Sequence, residues 1–365
     1  MSKKIKVGVV GVGNCFAGLI QGVEYYKKHR DKKVVAGLMH KKIGPYNFDD
    51  IEFSSAFDVG KNKVGERLDR AVFASPNMVD WVKLPKMKTI VKEAPILDGV
   101  GIYVENKVNS IKNQKPIGKL EKEIKREIEK TGTEVLINYL PVGSQKATEF
   151  WADMALKTKC AFINCIPAFI ASDKKWALRF TQRELPIIGD DVKSQVGATI
   201  VHRTLARLCS DRGAEIDRTY QINVGGNTDF LSMLERSRLE SKKISKTQAV
   251  TSQIDRKINP ENVYIGPSDF IPFLGNTKLA FIRIEGRMFA NIPFSIELRL
   301  EVDDKANSGG IVIDAIRLAK LALDRKIGGP IISASAYLMK HPPIQFSDKK
   351  AREMVEDFIS GKRER

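Results

Sequence analysis

Near residue 215 the apolar residues of this 365-residue chain change their spacing, and that change limits the fold more than any other feature. On its N-terminal side, short β-branched runs alternate with helical stretches. Ile5 to Val10 is an apolar strand running into Gly11-Val12-Gly13, and Cys15 to Lys28 follows with a helical pattern. Glu52 to Val59 is the second strand, with Asp58 at its end. The stretch from Gly37 to Asp50 before it is too long for a turn and reads as a surface excursion. Lys119 to Lys130 carries both charge signs, as a solvated helix face does. Val135 to Leu140 reads as a buried strand, Ser144 to Lys157 as a helix capped by Ser144, and Ala161 to Asn164 as a strand. Lys174 to Glu184 is helical, and Pro186 to Gly189 is a strand that ends at Asp190-Asp191. Such alternation predicts a doubly wound parallel sheet with helices on both faces.

Beyond residue 215 the period becomes two. Tyr220, Ile222 and Val224 alternate with Gln221 and Asn223. Ala280, Ile282 and Ile284 alternate with Phe281, Arg283 and Glu285, and Ile296, Leu298, Leu300 and Val302 with Ser295, Glu297, Arg299 and Glu301. Strict alternation predicts half-buried, antiparallel strands whose more polar face meets solvent or another subunit. Helix returns from Gly310 to Asp324. The expected class is α/β: a Rossmann-type, dinucleotide-binding sheet over residues 1–194 with an inserted α+β catalytic and oligomerisation domain over 195–304. Residues 305–365 return to the first domain.

Composition removes several classes of function. No apolar run approaches the roughly 18 residues that span a bilayer. The N-terminus enters a strand at once, without the apolar segment of a signal peptide, so a cytoplasmic location is expected. Cys15, Cys160, Cys165 and Cys209 form no C-x-x-C pair, which argues against a zinc ribbon and suits free thiols. The net charge of +17 is spread along the chain among Glu and Asp, with no nucleic-acid-binding motif. It suits attraction of anionic small substrates better than nucleic acid. Lone histidines at 29, 40, 202 and 341 form no catalytic order and are assigned no chemistry.

Strand, glycine turn and helix at the N-terminus place free backbone N–H groups where a pyrophosphate binds. Gly11 permits the tight turn and Gly13 close approach; Phe16 stands where a third glycine is usual, and Gly18 comes two residues later. Asp58 is placed to accept hydrogen bonds from an adenosine ribose, which favours NAD. Lys242 and Lys246, four apart, share one face of a helix; their repulsion eases deprotonation of either, although a solvated helix face gives the same spacing. Asp190-Asp191-Val-Lys193-Ser194 and Gly225-Gly226-Asn227-Thr228-Asp229 each follow a strand, at the edge where α/β sheets bind ligands. From the residues alone, a plain NAD(P) dehydrogenase and a non-catalytic sugar-phosphate sensor both stay open.

These segments, with Gly11-Val-Gly-Asn14, Gly22-Val-Glu-Tyr-Tyr26, Asn138-Tyr-Leu-Pro-Val-Gly-Ser144, Gly189 to Thr199, Asn223 to Asp229, Leu234 to Val250, Gly328-Gly-Pro330 and Ala336-Tyr-Leu-Met-Lys340, run nearly end to end. Together they resemble the inositol-3-phosphate synthases (myo-inositol-1-phosphate synthases), in the short form of archaea and actinobacteria. The resemblance implies NAD-dependent oxidation of glucose 6-phosphate at C5, enolisation, intramolecular aldol closure and reduction to inositol phosphate, the first step of inositol biosynthesis. It implies catalytic roles for Lys242, Lys246, Lys278, Lys340, Asp191 and Asp304, and substrate contacts for Ser194, Asn227 and Lys246. Cofactor contacts fall on Gly11, Gly13, Asn14, Asp58, Tyr139, Ser194, Asp229 and Lys242. Within that set, Lys242 and Lys340 are expected to stabilise charge and move protons around C5 and C6. Lys246, Lys278 and Ser194 are expected to hold phosphate or the C1 oxygen, and Asp304 to orient a lysine or relay a proton. A homotetramer joined through the middle domain is expected. Some short-form relatives also employ a divalent metal, for which Asp191, Asp229 and Asp304 are the available carboxylates.

Overall fold

The computed structural model describes residues 4–29 and 36–365. Strand β1 (Ile5–Val10) leads through the glycine turn into helix α1 (Asn14–Lys28). A hairpin of β2 (Lys42–Ile43) and β3 (Tyr46–Asn47) precedes β4 (Ile51–Asp58). Then come α2 (Leu68–Ala71), β5 (Val91–Glu93), α3 (Glu105–Val108) and α4 (Ile117–Thr131). Next are β6 (Val135–Asn138), α5 (Gln145–Thr158), β7 (Ala161–Asn164), α6 (Lys174–Gln182) and β8 (Pro186–Ile188). The second unit runs through α7 (Ala198–Asp211), β9 (Glu215–Gly225), α8 (Thr228–Ser232) and α9 (Glu240–Thr251) to β10 (Val263–Phe270), β11 (Thr277–Arg287) and β12 (Pro293–Asp303). The chain returns with α10 (Ala306–Asp324), β13 (Gly329–Pro330), α11 (Ile332–Leu338) and α12 (Asp348–Ser360).

Seven strands form one parallel sheet in the order β13-β8-β7-β6-β1-β4-β5. β6 (Val-Leu-Ile-Asn) and β7 (Ala-Phe-Ile-Asn) are buried at every position, as central strands covered on both faces must be. α4 shows the opposite economy: Leu120, Ile124 and Ile128 make one buried stripe and its charges face solvent. α10 is buried almost all round and packs beside α1 against the sheet. Gly18 of α1 explains part of that contact, since a Cβ there would stand 3.4 Å from Lys305 and 3.2 Å from Trp81. The glycine displaced from the usual third position thus serves close packing, while Phe16 fills the core against Phe53.

Two expectations fail here. The stretch from Gly37 to Asp50 is no surface excursion. Its hairpin buries Ile43, Tyr46 and Phe48, and His40 bonds to Asp314 of α10 at 2.5 Å and Glu356 of α12 at 3.1 Å. Strands of two residues are too short to show a period, so the pattern could not reveal them. Ser144 does stand at the start of α5, but its hydroxyl donates to Pro141 O at 2.7 Å instead of capping the helix.

The second sheet has the order β10-β9-β11-β12. β11 is antiparallel to both neighbours, as alternation predicts, whereas β10 pairs parallel with β9. On β11 the face carrying Ala280, Ile282 and Ile284 is buried under α7 and α9. On β9 the expected sidedness is reversed. Polar Thr219, Gln221 and Asn223 point inward, and His202 of α7 bonds to Thr219 at 2.7 Å and Gln221 at 3.4 Å. Tyr220, Ile222 and Val224 take the uncovered face beside Phe281. The register with β11 decides this, because residues paired across strands share a face.

Candidate active site

The parallel sheet reverses its strand order between β1 and β6, and ligands of such sheets bind beyond the carboxyl ends at that reversal. Gly11 follows β1 with φ of +89°, and a Cβ there would stand 2.8 Å from the carbonyl oxygen of Tyr139, which follows β6. Gly13 caps α1, and nothing lies within 4 Å of where its Cβ would be. Open space, free N–H groups and no acidic residue in the first turn suit an anion at this helix start. The residues present therefore fit a dinucleotide pyrophosphate.

A cavity of about 920 Å³ runs along this loop, lined by Gly11, Gly13, Asn14, Asp58 and Tyr139 on one side and by apolar Ile96, Val100 and Val104 on the other. Asp58 accepts from the N–H of Val12 at 2.7 Å and from those of Val59 and Gly60 at 2.8 Å, so it also ties the glycine turn to the second strand. Asn14 accepts from the Met78 N–H at 2.7 Å and donates to Thr228 at 3.4 Å. Lys63, absent from the expected set, is buried on this cavity wall and donates to Val12 O at 2.8 Å. It sits in a loop with no motif, and nothing in its spacing points to it.

A second cavity, about 950 Å³, shares Cys15, Tyr139, Leu140 and Asp229 with the first. Lys242, Lys246, Lys278, Lys340, Asp191, Asp229, Asp304 and Ser194 all line it. Topology brings them together. Lys278 begins β11, antiparallel to both neighbours, so it pairs with Gly225 near the end of β9 and Val302 near the end of β12. Asp229 and Asp304 follow those ends. Asp191 follows β8, Lys340 lies two residues beyond α11, and Lys242 and Lys246 share one face of α9.

Asp191 is the hub. It takes a left-handed φ of +62°, held by its N–H to Ile166 O at 3.1 Å and by the Lys340 N–H to its own carbonyl at 2.7 Å. Ser245 donates to one carboxylate oxygen at 2.7 Å; Lys340 and Lys242 approach the other at 3.1 and 3.6 Å. Burial acts to raise its pKa, but the two ammonium groups and Ser245 outweigh burial and hold it well below the usual carboxylate range. Lys340 moves down from 10.5 to about 8, chiefly through burial, with Lys242 and Lys278 adding repulsion and Asp191 opposing. Lys246, 5% exposed, is pushed well below its ordinary value by burial and by repulsion from Lys242, Lys278 and Lys340. Lys278 lies 3.4 Å from Asp304 and over the ring of Phe230 at 5.7 Å. The arrangement offers two amines biased toward neutrality beside two lysines paired to carboxylates. Such a set can move protons and stabilise oxyanions in one cavity.

Other residues fall differently. Asn227 caps α8 and accepts from the Asp229 N–H at 3.0 Å, but it does not line either cavity. Asp190, next to Asp191, turns beneath the site and gathers the N–H groups of Ile170, Ala171 and Ser172. Burial raises it to about 6. Lys193 is a buried tie from this turn to Ala336 O at 2.7 Å and to Asp348 at 3.1 Å. Lys305 lies outside the expected set. It is buried on the wall of the lysine cavity, where it contacts Asp229, Asp304 at 3.0 Å and the Cys15 sulfur at 3.5 Å. Burial acts to lower its pKa, but the surrounding anionic partners raise it well above the ordinary lysine value. Burial pushes the Cys15 thiol up to about 12. Adjacency to Asp304 at the end of an alternating strand was the only signal for Lys305.

Asp191, Asp229 and Asp304 do not converge as a metal-ligand set. Among the described residues no group of three or more His, Cys, Asp and Glu side chains is placed to hold an ion, and each of the three carboxylates is engaged by lysine. The divalent metal allowed by the resemblance therefore finds no support in the geometry.

A family model described as myo-inositol-1-phosphate synthase matches residues 197–305. The chain is 50% identical over 361 residues to an inositol-3-phosphate synthase of Mycobacterium tuberculosis, covering 99% of this chain and 97% of that protein. It is likewise 50% identical over 361 residues to an inositol-3-phosphate synthase of Corynebacterium glutamicum, covering 97% of this chain and 98% of that protein. Among solved structures, that of Ari2 superposes with a TM-score of 0.79 at 31% identity, over 98% of this chain and 99% of that one.

Proposed function

The chain belongs to the inositol-3-phosphate synthase family, and from that premise we propose that it isomerises D-glucose 6-phosphate to 1D-myo-inositol 3-phosphate with NAD as a recycled cofactor. The observation that carries this reading is the junction of the two cavities. The glycine-turn cavity adjoins the cavity that holds four lysines, and both are lined by Cys15, Tyr139, Leu140 and Asp229. Held by the glycine turn, NAD would supply a reversible hydride acceptor for C5 of the sugar.

The chain's own residues handle the protons and the charge. Lys340 and Lys246, biased toward neutral amines, take the C5 hydroxyl proton and return it on reduction, and take a proton from C6 that passes to the C1 oxygen as the C1–C6 bond forms. Burial and three neighbouring lysines make Lys246 better suited to this work than to gripping phosphate. Asp191 orients Lys340 and Lys242. Lys242, Lys278 and Ser194 line the same cavity and supply the donors for the carbonyl oxygens and the phosphate. On the cofactor side, Gly11, Gly13 and Asn14 would hold the pyrophosphate, and Asp58, which already accepts the Val12 N–H, would hold the adenosine ribose. The reading includes a homotetramer joined through the outer face of the second sheet. It also includes a cytoplasmic location, which four free cysteines suit. No helix among the described residues is long and apolar enough to cross a membrane.

Phosphorus NMR after incubation with glucose 6-phosphate and NAD tests the reaction. Inositol phosphate should accumulate well beyond the enzyme concentration while absorbance in the NADH band stays flat. Deuterium placed at C5 of the substrate should remain in the product. Stoichiometric NADH formation would replace this reading with a simple dehydrogenase, and binding without turnover would replace it with a sensor.

A further inference from the structure

Lys305 is 1% exposed, one residue before α10, and its ammonium contacts three groups from three parts of the chain. Asp229 comes from the first turn of α8, Asp304 at 3.0 Å directly follows β12, and Cys15 at 3.5 Å comes from the first turn of α1. The Cys15 thiol in turn lies 3.6 Å from Asp229. Cys15 and Asp229 belong to the wall shared by both cavities, and Lys305 and Asp304 line the lysine cavity beside it. Without the ammonium, two carboxylates would face each other where an anionic sugar phosphate meets an anionic dinucleotide. Charge of that sign there repels both ligands, and a cation between the carboxylates removes much of the repulsion.

We propose that Lys305 is the built-in cation of this site: its ammonium holds Asp229 and Asp304 together and neutralises the wall between cofactor and substrate, so that turnover requires no divalent metal. The catalytic half of that role rests on the reaction proposed above, and the electrostatic half does not. A lysine serving only to tie α10 to α1 would matter for stability, and no added ion would replace it. A lysine serving as a charge is replaceable by another cation, because its removal leaves two carboxylates and space.

The test uses the full chain stripped with EDTA. The wild-type protein should convert glucose 6-phosphate with NAD at an undiminished rate and gain nothing from Mg²⁺, Mn²⁺ or Zn²⁺. Titrated with Mn²⁺ in the absence of substrate and followed by the electron paramagnetic resonance of free Mn²⁺, it should bind no stoichiometric equivalent. K305S should lose about 100-fold or more in metal-free turnover, bind one Mn²⁺ per protomer and recover a large part of its rate as that ion binds. The double variant K305S/D304N should bind none. Loss of wild-type activity on stripping with return on adding metal overturns the proposal. So does a K305S variant that keeps full metal-free activity, or one that is folded yet neither binds Mn²⁺ nor recovers. Should K305S not fold, the wild-type titration decides alone, since one Mn²⁺ bound per protomer contradicts a lysine-filled site. Absence of inositol phosphate under every condition would defeat the proposed reaction, while the Mn²⁺ titrations would still report on Lys305.

Discussion

Lys246 shows most clearly how environment sets chemistry at the scale of a residue. Its spacing from Lys242 suits a solvated helix face as well as a catalytic pair. Burial of its side chain, with three other ammonium groups around it, makes it a candidate base. Lys340 gives the pH dependence. Its pKa near 8 means that it is mostly an ammonium at pH 7 and mostly an amine at pH 9. If it accepts a proton from the substrate, turnover should rise with pH through about 8 and then level. A profile flat from pH 6.5 to 9 would remove Lys340 as the base. Stability carries the same sign. Folded Lys340 has released its proton between about 8 and the ordinary value of 10.5, while the unfolded chain still holds it, so folding is favoured progressively as pH rises across that window. Thermal melts of wild type and Lys340→Met across pH 8 to 10 should show the wild type gaining on the variant. Lys242→Ala and Lys340→Ala should each lower turnover by about 100-fold or more, the usual consequence of losing a charge stabiliser. Circular dichroism should show both folded, and near-normal rates in both would exclude them from the mechanism.

At the scale of elements, α10 is the joint of the molecule. It emerges from Lys305 in the site, lies against the parallel sheet and meets the buried hairpin of β2 and β3. Asp314, fully buried on it, bonds to His40 at 2.5 Å and pairs with Arg317, whose guanidinium also donates to His40 O at 2.8 Å and Lys41 O at 3.1 Å. Removing one partner of a buried ionic cluster leaves the others uncompensated. Asp314→Ala should therefore cost roughly 3–5 kcal/mol in urea unfolding. Turnover per folded molecule should change little, because none of these groups lines the lysine cavity. A cost within the range of an ordinary surface substitution would show that the cluster is not a stabilising joint.

For the whole molecule, the second sheet leaves one face uncovered. Ile222 (43% exposed), Phe281 (39%) and Tyr264 (53%) lie there with Arg283, Glu297 and Arg299. Burying such a mixed apolar and charged face between subunits removes water from the rings and pairs the charges. Light scattering at micromolar concentration should report a tetramer. The double variant I222E/F281E should shift it toward smaller species while the far-ultraviolet circular dichroism stays unchanged. A monomeric wild type would contradict the assembly.

Local pattern by itself determined the alternation of strands and helices, the glycine turn before α1 and the second sheet's period of two. These depend on neighbours in the chain, where spacing reports which face is apolar. It also placed Lys278 at a strand start and Asp304 at a strand end. Only the tertiary structure decided that Asp191 enters the site while adjacent Asp190 turns beneath it. Only the register between β9 and β11 decided that Ile222 faces outward over buried Gln221. Lys63 and Lys305 became visible as site residues only when elements distant in sequence closed around them. A charge in an alternating or helical pattern looks solvated until the fold removes its water, and removal of water is a property of three-dimensional packing.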